Sequence, residues 1–254
     1  MKGKGRDKGA LLVLGLALTA GACGPLAVGP AERPGLGTRW GETSLSPIRE
    51  VSFERDAPER PVAVAVLHYD DGDGLRALAG GSLPRSGAGL VDGTAAVGGV
   101  LQVRLLDESG FPLPSFWHGD RFLVEGERGQ RYSIEISNGS FARVEAVATV
   151  DGLDVMDGGP GSYAKRGYVL RPGETYHVDG FRRSQTDVAA FRFGDVAQSY
   201  AARRGDDTDV GVIGVAFFAE RGARPGWRQN EADRRGAADP FPDRFASPPP
   251  GAAW

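Results

Sequence analysis

The residues whose side chains could carry out chemistry are few and widely spaced in this chain of 254 residues. The three histidines, His68, His118 and His177, lie 50 and 59 positions apart, so no two have the local spacing of metal ligands. The sequence has neither the Gly-x-Ser-x-Gly turn of serine hydrolases nor a phosphate-binding loop. A Ser-His-Asp triad can still assemble from distant segments, so a hydrolase with a dispersed site stays open as an alternative. We otherwise expect no catalytic residues and no cofactor.

Three aspartates lie in one glycine-rich stretch, Val150–Gly173 (VDGLDVMDGGPGSYAKRGYVLRPG). A calcium loop requires alternating acidic ligands followed by a distal glutamate, and neither this stretch nor Asp70–Gly74 (DDGDG) has that spacing. Asp151–Gly152 and Asp157–Gly158 instead have the composition of tight turns, in which glycine supplies a positive φ. The sequence therefore predicts turns, with Asp154 and Asp157 on the surface, and no metal site.

A different chemistry is indicated at the single cysteine of the chain, Cys23. A basic segment and the apolar run Gly9–Ala20 precede it, a pattern that is typical of a signal peptide and too short to span a bilayer. Small residues then lead up to Cys23, as in the lipobox of bacterial lipoproteins. We therefore expect a signal peptide over residues 1–22 and a lipidated Cys23 that anchors the exported chain in a membrane. A secretory signal followed by a chance cysteine is the alternative.

Location and charge limit the class of partner. Gly24 follows the cysteine, and the absence of aspartate there favours the outer membrane, facing the periplasm, in a host with two membranes. Four of the 30 basic and one of the 33 acidic residues lie in the expected signal peptide, so the remaining chain carries a net charge of −6. A net negative charge argues against nucleic acid as a partner. The expected partners are the membrane and an envelope protein or glycan that the sequence does not identify.

Two groups of residues could form a ligand or partner surface. The first is the aromatic stretch FPLPSFWHGDRF, in which Phe116, Trp117 and His118 could stack on a sugar, as in a carbohydrate-binding module, or on a partner protein. The same aromatic rings could instead cover the open end of a hydrophobic core.

The second group contains two arginines, Arg166 and Arg182. They could pair with Asp151 or Asp195 and so fix loops at one end of the domain. The alternative is an anion-binding cluster that comprises Arg166, Arg182, Ser184 and Tyr200. The first interpretation is structural, and the second predicts a ligand site.

These residues must be positioned by a framework of strands. Seven short runs are rich in β-branched and aromatic residues and are separated by Gly, Asp, Asn or Pro. The runs are Val62–Tyr69, Leu101–Leu106, Tyr132–Ser137, Arg143–Val150, Thr175–Val178, Ala189–Phe193 and Val210–Ala219. The predicted fold is therefore all-β, a β-sandwich of the immunoglobulin-like or jelly-roll-like kind.

One short helix is expected within this framework. Asp195 to Gln198 has the form of a capping box, which predicts a helix over Val196–Arg204 with Gly205 just past its end.

The segments on either side of the strands are rich in Pro, Gly and charge, which is typical of a chain that cannot bury a core. We expect a flexible tether over residues 23–60, the β-sandwich over 61–220 and a disordered tail over 221–254.

An ordered series of motifs runs through the second half of the chain: GERGQRYSIEISN, VDGLDVMDGGPGSYAKRGYVLRPG, VDGFRRS, AAFRFGDVAQSYAAR and VGVIGVAFF. This region, from about Gly126 to Glu220, resembles a family of uncharacterised bacterial exported proteins and lipoproteins. The matched positions include Asp151, Gly152, Arg166, Gly167, Tyr168, Gly180, Phe181, Arg182, Ser184, Phe191, Ser199 and Tyr200. The family has no assigned reaction, so the resemblance implies a shared exported domain and no particular activity. With Cys23, it predicts a lipid-anchored envelope protein whose non-catalytic β-sandwich serves binding or assembly.

Overall fold

The structure is a computed structural model that describes residues 33–81, 95–97 and 100–223, together with Met1. Its regular structure is almost entirely β, with fourteen strands in two sheets of seven. Sheet I comprises β1 (Leu36–Leu45), β3 (Ala95–Val97), β4 (Leu101–Asp107), β7 (Arg131–Asn138), β11 (Thr175–Val178), β12 (Gly180–Arg182) and β13 (Asp187–Asp195). Sheet II comprises β2 (Ala63–Asp70), β5 (Ser115–His118), β6 (Arg121–Glu125), β8 (Val144–Val150), β9 (Leu153–Asp154), β10 (Tyr168–Leu170) and β14 (Val212–Ala219).

The strand order brings distant parts of the chain together. Sheet I has the order β1-β13-β7-β4-β3, with β11 beside β7 and β12 beside β13. Sheet II has the order β10-β8-β14-β2-β6-β5, with β9 beside β8. Among the described strands, β2 and β6 run parallel and the other pairs are antiparallel.

The core lies between the two sheets, because alternate side chains of the strands are apolar and face inward. Tyr132, Ile134 and Ile136 of β7 are all buried. Phe193 of β13 stacks on Tyr132 with ring centroids 4.3 Å apart, and it lies 5.1 Å from Tyr69 of β2 in the opposite sheet. Each such buried aromatic contributes roughly 1.5–3 kcal/mol to stability. The predicted all-β, sandwich-like fold is confirmed, and each of the seven predicted runs contains a strand.

The expected flexible tether over residues 23–60 needs correction, because its central part is a strand. Leu36–Leu45 form β1, which pairs with β13 along its length apart from a bulge after Trp40. Ser46 continues the pairing by donating its N–H to the Thr186 carbonyl at 2.8 Å. The segment LGTRWGETSL has little apolar alternation, so the strand depends on its apolar partner β13 rather than on local propensity.

The helix predicted over Val196–Arg204 is divided in two. Val196–Gln198 form a 3-10 turn, which ends before the α-helix that follows it. The second helix, α2, spans Tyr200–Arg203, and Ser199 caps it by accepting a backbone N–H at 3.1 Å. Asp195 makes no side-chain cap to the 3-10 turn, and its carboxylate pairs with Arg128 instead.

The helix α1 (Gly72–Leu78) was not predicted, because DDGDG has the composition of a turn. Asp71 caps it by accepting the N–H groups of Asp73 and Gly74 at 3.1 and 2.9 Å. Gly74 is needed for space, since a Cβ there would lie 2.1 Å from the Asp70 carboxylate. Neither helix of the described ranges is long and apolar enough to cross a membrane. The predicted signal peptide with Cys23, and residues 224–254 of the predicted tail, lie outside the described residues.

Candidate functional site

The outer face of sheet II carries an open groove of about 420 Å³, here called the outer groove. Its floor is formed by Val64 of β2, Ala216 of β14 and Val147 of β8, which are neighbours across the sheet. One wall is the loop after β9, where the side chain of Tyr163 is 46 % exposed. The groove is therefore built mainly on sheet residues, with one loop beside them.

The groove stays open because other segments cover only part of this face. α1 packs over β6 on one side. On the other side the Arg55 guanidinium lies 3.7 Å above the ring of Phe218. Between these covers Val64 and Val66 are 39 % and 44 % exposed. Contiguous apolar surface of this kind is typical of interaction sites.

Gly214 keeps the floor of the groove low. It lies between Val66 of β2 and Thr149 of β8 in the strand register. A Cβ at this position would lie 2.9 Å from the Thr149 hydroxyl, so a larger side chain would both crowd Thr149 and fill the groove. The glycine therefore has a spatial role in the middle of a strand.

The two ends of the groove differ in polarity. Tyr163, Val64 and Val147 form an apolar end, and Thr149, Ser162 and Asp209 form a polar end. The Asp209 carboxylate lies against Gly152, where a Cβ would be 2.9 Å from its Oδ2. Asp209 is exposed and forms no ion pair with a described residue. Asp207, nearby in sequence, pairs with Arg33. Within the described part of the chain, the polar end thus offers a carboxylate that no cation neutralises.

The turn beside the polar end has the predicted conformation. Asp151 and Gly152 connect β8 to β9 with φ values of 54° and 76°, the pair of positive angles that defines a type I′ hairpin turn. The predicted positive φ at Gly158 is also confirmed, at 67°. Gly161 donates its N–H to the Gly152 carbonyl at 2.8 Å, which places the wall loop over the sheet.

Beneath this turn Asp151 is buried, with only 3 % of its surface exposed. Its Oδ2 accepts the Thr38 N–H at 2.7 Å. Its Oδ1 accepts the Tyr69 hydroxyl at 2.6 Å and the Gly211 N–H at 3.0 Å. Burial raises the pKa of Asp151 to about 6, although these hydrogen bonds favour the ionised form. Asp151 is therefore a buried acceptor of three hydrogen bonds within a tight turn.

Asp154 is wholly buried, so the expectation that it lies on the surface is wrong. Its Oδ1 accepts the N–H groups of Met156 and Asp157 at 2.9 and 3.1 Å, and burial raises its pKa to about 6. Asp157 is exposed and pairs with Lys165 at 2.6 Å, which lowers the pKa of Asp157.

Within the described ranges no three His, Cys, Asp or Glu side chains are grouped so as to hold a metal ion.

The residues of the proposed anion-binding cluster make separate contacts. Arg182 bonds to Ser46 and reaches the Tyr168 hydroxyl at 3.3 Å. Tyr200 packs on Phe181, with ring centroids 4.8 Å apart. Phe181 and Arg182 are consecutive in β12 and point to opposite sides, so Tyr200 and Arg182 do not converge.

The other two members of that cluster also lie apart from a common site. Ser184 is exposed in a turn, where its hydroxyl donates to Asp187 at 3.0 Å, and Arg166 is exposed. The alternative pairing is not seen either: Asp195 pairs with Arg128, and among the described residues Asp151 accepts bonds only from Thr38, Tyr69 and Gly211.

The predicted aromatic surface is divided between the interior and the solvent. Phe116 of β5 is buried in a cluster with Leu123 beneath α1. Trp117 is 45 % exposed and packs edge-on against Phe122 with ring centroids 5.2 Å apart. His118 is exposed at the end of the strand. Trp117 and His118 therefore stay accessible, and Phe116 does not.

The other two histidines lie on open sheet faces. His177 of β11 is opposite Glu135 of β7, with its Nε2 3.2 Å from a Glu135 oxygen, and Arg104 of β4 contacts the same carboxylate. His68 lies on the outer side of β2, where burial lowers its pKa. Neither histidine is hydrogen-bonded to a serine among the described residues, so no triad geometry is present there.

Comparison with protein-family models, with curated proteins and with solved structures finds no match for this chain.

The groove itself was not predicted from the sequence. A usable signal was present in VAVAV (Val62–Val66), which is apolar on both faces of a strand, whereas a strand with one solvated face alternates between apolar and polar residues.

Proposed function

We propose that this protein is an envelope lipoprotein, anchored through Cys23, whose β-sandwich binds a segment of another envelope protein in the outer groove without catalysing a reaction. The observation that carries the proposal is the groove itself, an apolar sheet surface with an exposed carboxylate at one end.

The shape and chemistry of the groove indicate the kind of segment it would bind. Its volume of about 420 Å³ lies in the range of ligand sites, and Val64 and Val66 extend the apolar floor along β2. An extended peptide with small apolar side chains suits a floor of this shape. The Asp209 carboxylate at the polar end suits a lysine or arginine of that peptide, because opposite charges across an interface favour the correct partner.

The arrangement of possible catalytic groups supports a binding role over the hydrolase alternative. His177 lies on the open outer face of sheet I beside Glu135, and His118 lies at the exposed end of an edge strand. A hydrolase would need a serine, a histidine and an acid within hydrogen-bonding reach of one another.

The anchor and the location rest on the sequence around Cys23. An apolar run that is too short to span a bilayer, followed by small residues and the single cysteine, supports lipidation after export. The resemblance to exported bacterial proteins supports the same location, with the domain in the periplasm at the outer membrane.

A glycan is the second candidate ligand, and one observation favours it. Trp117 is 45 % exposed on edge strand β5, next to the exposed His118, and an accessible indole ring can stack on a sugar. Trp117→Ala should then abolish retention on purified cell-wall glycan. If the ligand instead binds in the outer groove, Trp117→Ala and the wild-type protein should be retained on the glycan to the same extent.

The main proposal is tested by photo-crosslinking in intact cells. A photoreactive amino acid at Val66 reports on the groove, and the same amino acid at Leu45, which is 80 % exposed on sheet I, is the control. We expect a protein adduct from position 66 and none from position 45. Asp209→Lys should remove the adduct, and the captured segment should contain a basic residue among apolar ones. An adduct that persists in Asp209→Lys, or that forms equally from both positions, would contradict the proposal.

A further inference from the structure

The first strand of the domain is attached to the opposite sheet by carboxylates. β1 belongs to sheet I, yet the Leu36 N–H donates to Asp70 of β2 at 2.8 Å. Two residues later the Thr38 N–H donates to Asp151, at the end of β8, at 2.7 Å. Both acceptors belong to sheet II or to its turn, so β1 closes this edge of the sandwich.

The hydroxyl of Thr38 adds a buried chain of hydrogen bonds with a defined direction. The Tyr69 hydroxyl donates its proton to Asp151, so it can only accept from Thr38, whose Oγ1 lies 2.8 Å away. Thr38 in turn can only accept from the Tyr132 hydroxyl, at 2.7 Å. The chain therefore runs from Tyr132 through Thr38 and Tyr69 to the ionised Asp151, and it joins β7, β1 and β2 to the turn after β8.

The same carboxylate also holds the polar end of the outer groove. Asp151 accepts the Gly211 N–H at 3.0 Å, and the Gly211 carbonyl accepts the Tyr69 N–H at 2.9 Å. Gly211 is two residues from Asp209, and Asp151 is followed directly by Gly152, against which the Asp209 carboxylate lies. The position of Asp209 thus depends on backbone segments that Asp151 fixes.

We propose that β1 regulates the outer groove through Asp151, so that release of β1 from sheet II loosens the polar end of the groove. The effect of this coupling on binding rests on the proposed function. The coupling between β1 and the polar end of the groove is a property of the domain alone. Because β1 is the first described strand after the predicted anchor, a pull on the membrane-proximal chain would reach the groove by this route.

The coupling is tested by hydrogen–deuterium exchange on the full chain in lipid nanodiscs. Thr38→Val keeps the backbone N–H and removes the hydroxyl from the chain of hydrogen bonds. Thr43→Val is the matched control on the same strand, because the Thr43 hydroxyl meets only the exposed Arg183 side chain. Peptides covering residues 33–39 report on β1, those covering 206–214 report on the groove, and those covering 115–125 are the reference.

We expect Thr38→Val to speed exchange in both the 33–39 and 206–214 peptides by a similar factor of about tenfold, the effect of losing roughly one buried hydrogen bond. In Thr43→Val the exchange rates of both peptides should change less than about twofold. The exchange rate of the reference peptides should change equally little in either variant. Faster exchange in 33–39 alone, or no change in either peptide, would overturn the proposal. If Thr38→Val does not fold, Tyr132→Phe removes only the first hydroxyl of the chain and should give the same joint change.

Crosslinking from Val66 separates this proposal from the binding function. If exchange in the two peptides is coupled but no adduct forms, the coupling stands and the proposed function fails. If the adduct forms and exchange in 206–214 does not respond to Thr38→Val, the coupling fails and the proposed function stands.

Discussion

Replacement of Asp151 by asparagine should change the pH dependence of stability in a defined direction. Burial raises the pKa of Asp151 from 3.8 to about 6 in the folded protein. Between these values the folded state holds a proton that the unfolded state has released, so the stability that Asp151 contributes is greatest below about pH 4 and is lost as the pH rises through 6. At about 1.4 kcal/mol per pH unit, the fall that Asp151 causes is about 3 kcal/mol.

The asparagine side chain does not titrate, so the variant loses this pH dependence. Its free energy of unfolding is instead lowered by an amount that does not change with pH. Asparagine tolerates the positive φ of 54° at this turn position. Its amide has one acceptor oxygen, however, so either the Thr38 or the Gly211 N–H must face the NH₂ group, which costs about 1–3 kcal/mol. A protonated aspartic acid avoids this conflict, because both of its oxygens still accept while its O–H donates to Tyr69. The variant should therefore be less stable than the wild type at pH 4, by about 1–3 kcal/mol.

At pH 7.5 this difference should vanish or reverse, since the wild type has by then lost about 3 kcal/mol through Asp151. Urea unfolding, followed by circular dichroism at intervals from pH 4 to 8, measures both curves. Other titrating groups, including Asp154, are present in both proteins and drop out of the difference. Asp157→Asn is the matched control, because the pKa of Asp157 is lowered and not raised. The stability difference between this variant and the wild type should therefore not shrink as the pH rises. A stability difference for Asp151→Asn that is constant across this range would refute the reasoning.

Three further predictions follow from the sequence and the structure. Cys23→Ser should move the protein from the membrane to the soluble exported fraction, and membrane fractionation that finds the variant fully retained would rule out lipidation. Gly152→Val should lower the free energy of unfolding by about 1–3 kcal/mol through strain at a positive φ, with further crowding against Asp209, and a melt unchanged from the wild type would contradict the turn assignment. Limited proteolysis should spare residues 36–48, because β1 is paired, and early cleavage within this range would show that β1 is not held to the domain.

The strands were predictable because their signal is local. In a strand the side chains alternate between two faces, so a buried face leaves a period of two in the sequence itself. YSIEIS shows this period, and its inward residues Tyr132, Ile134 and Ile136 are buried as the pattern requires. The positive φ at Gly152 and Gly158 was equally local, because glycine after aspartate is typical of such turns.

By itself the sequence thus determined the all-β fold, seven of the fourteen described strands and the tight turns, and it predicts a lipid anchor at Cys23. Only the tertiary structure decided the role of β1, the burial of Asp151 and the position of the outer groove. β1 has little alternation of its own and is stabilised by β13, more than 140 positions away. Thr38 meets Asp151 across 113 positions, and no local pattern encodes a contact that depends on how two sheets pack. The groove exists because covering segments leave Val64 and Val66 exposed, and which part of a sheet stays uncovered is set by the packing of the whole domain.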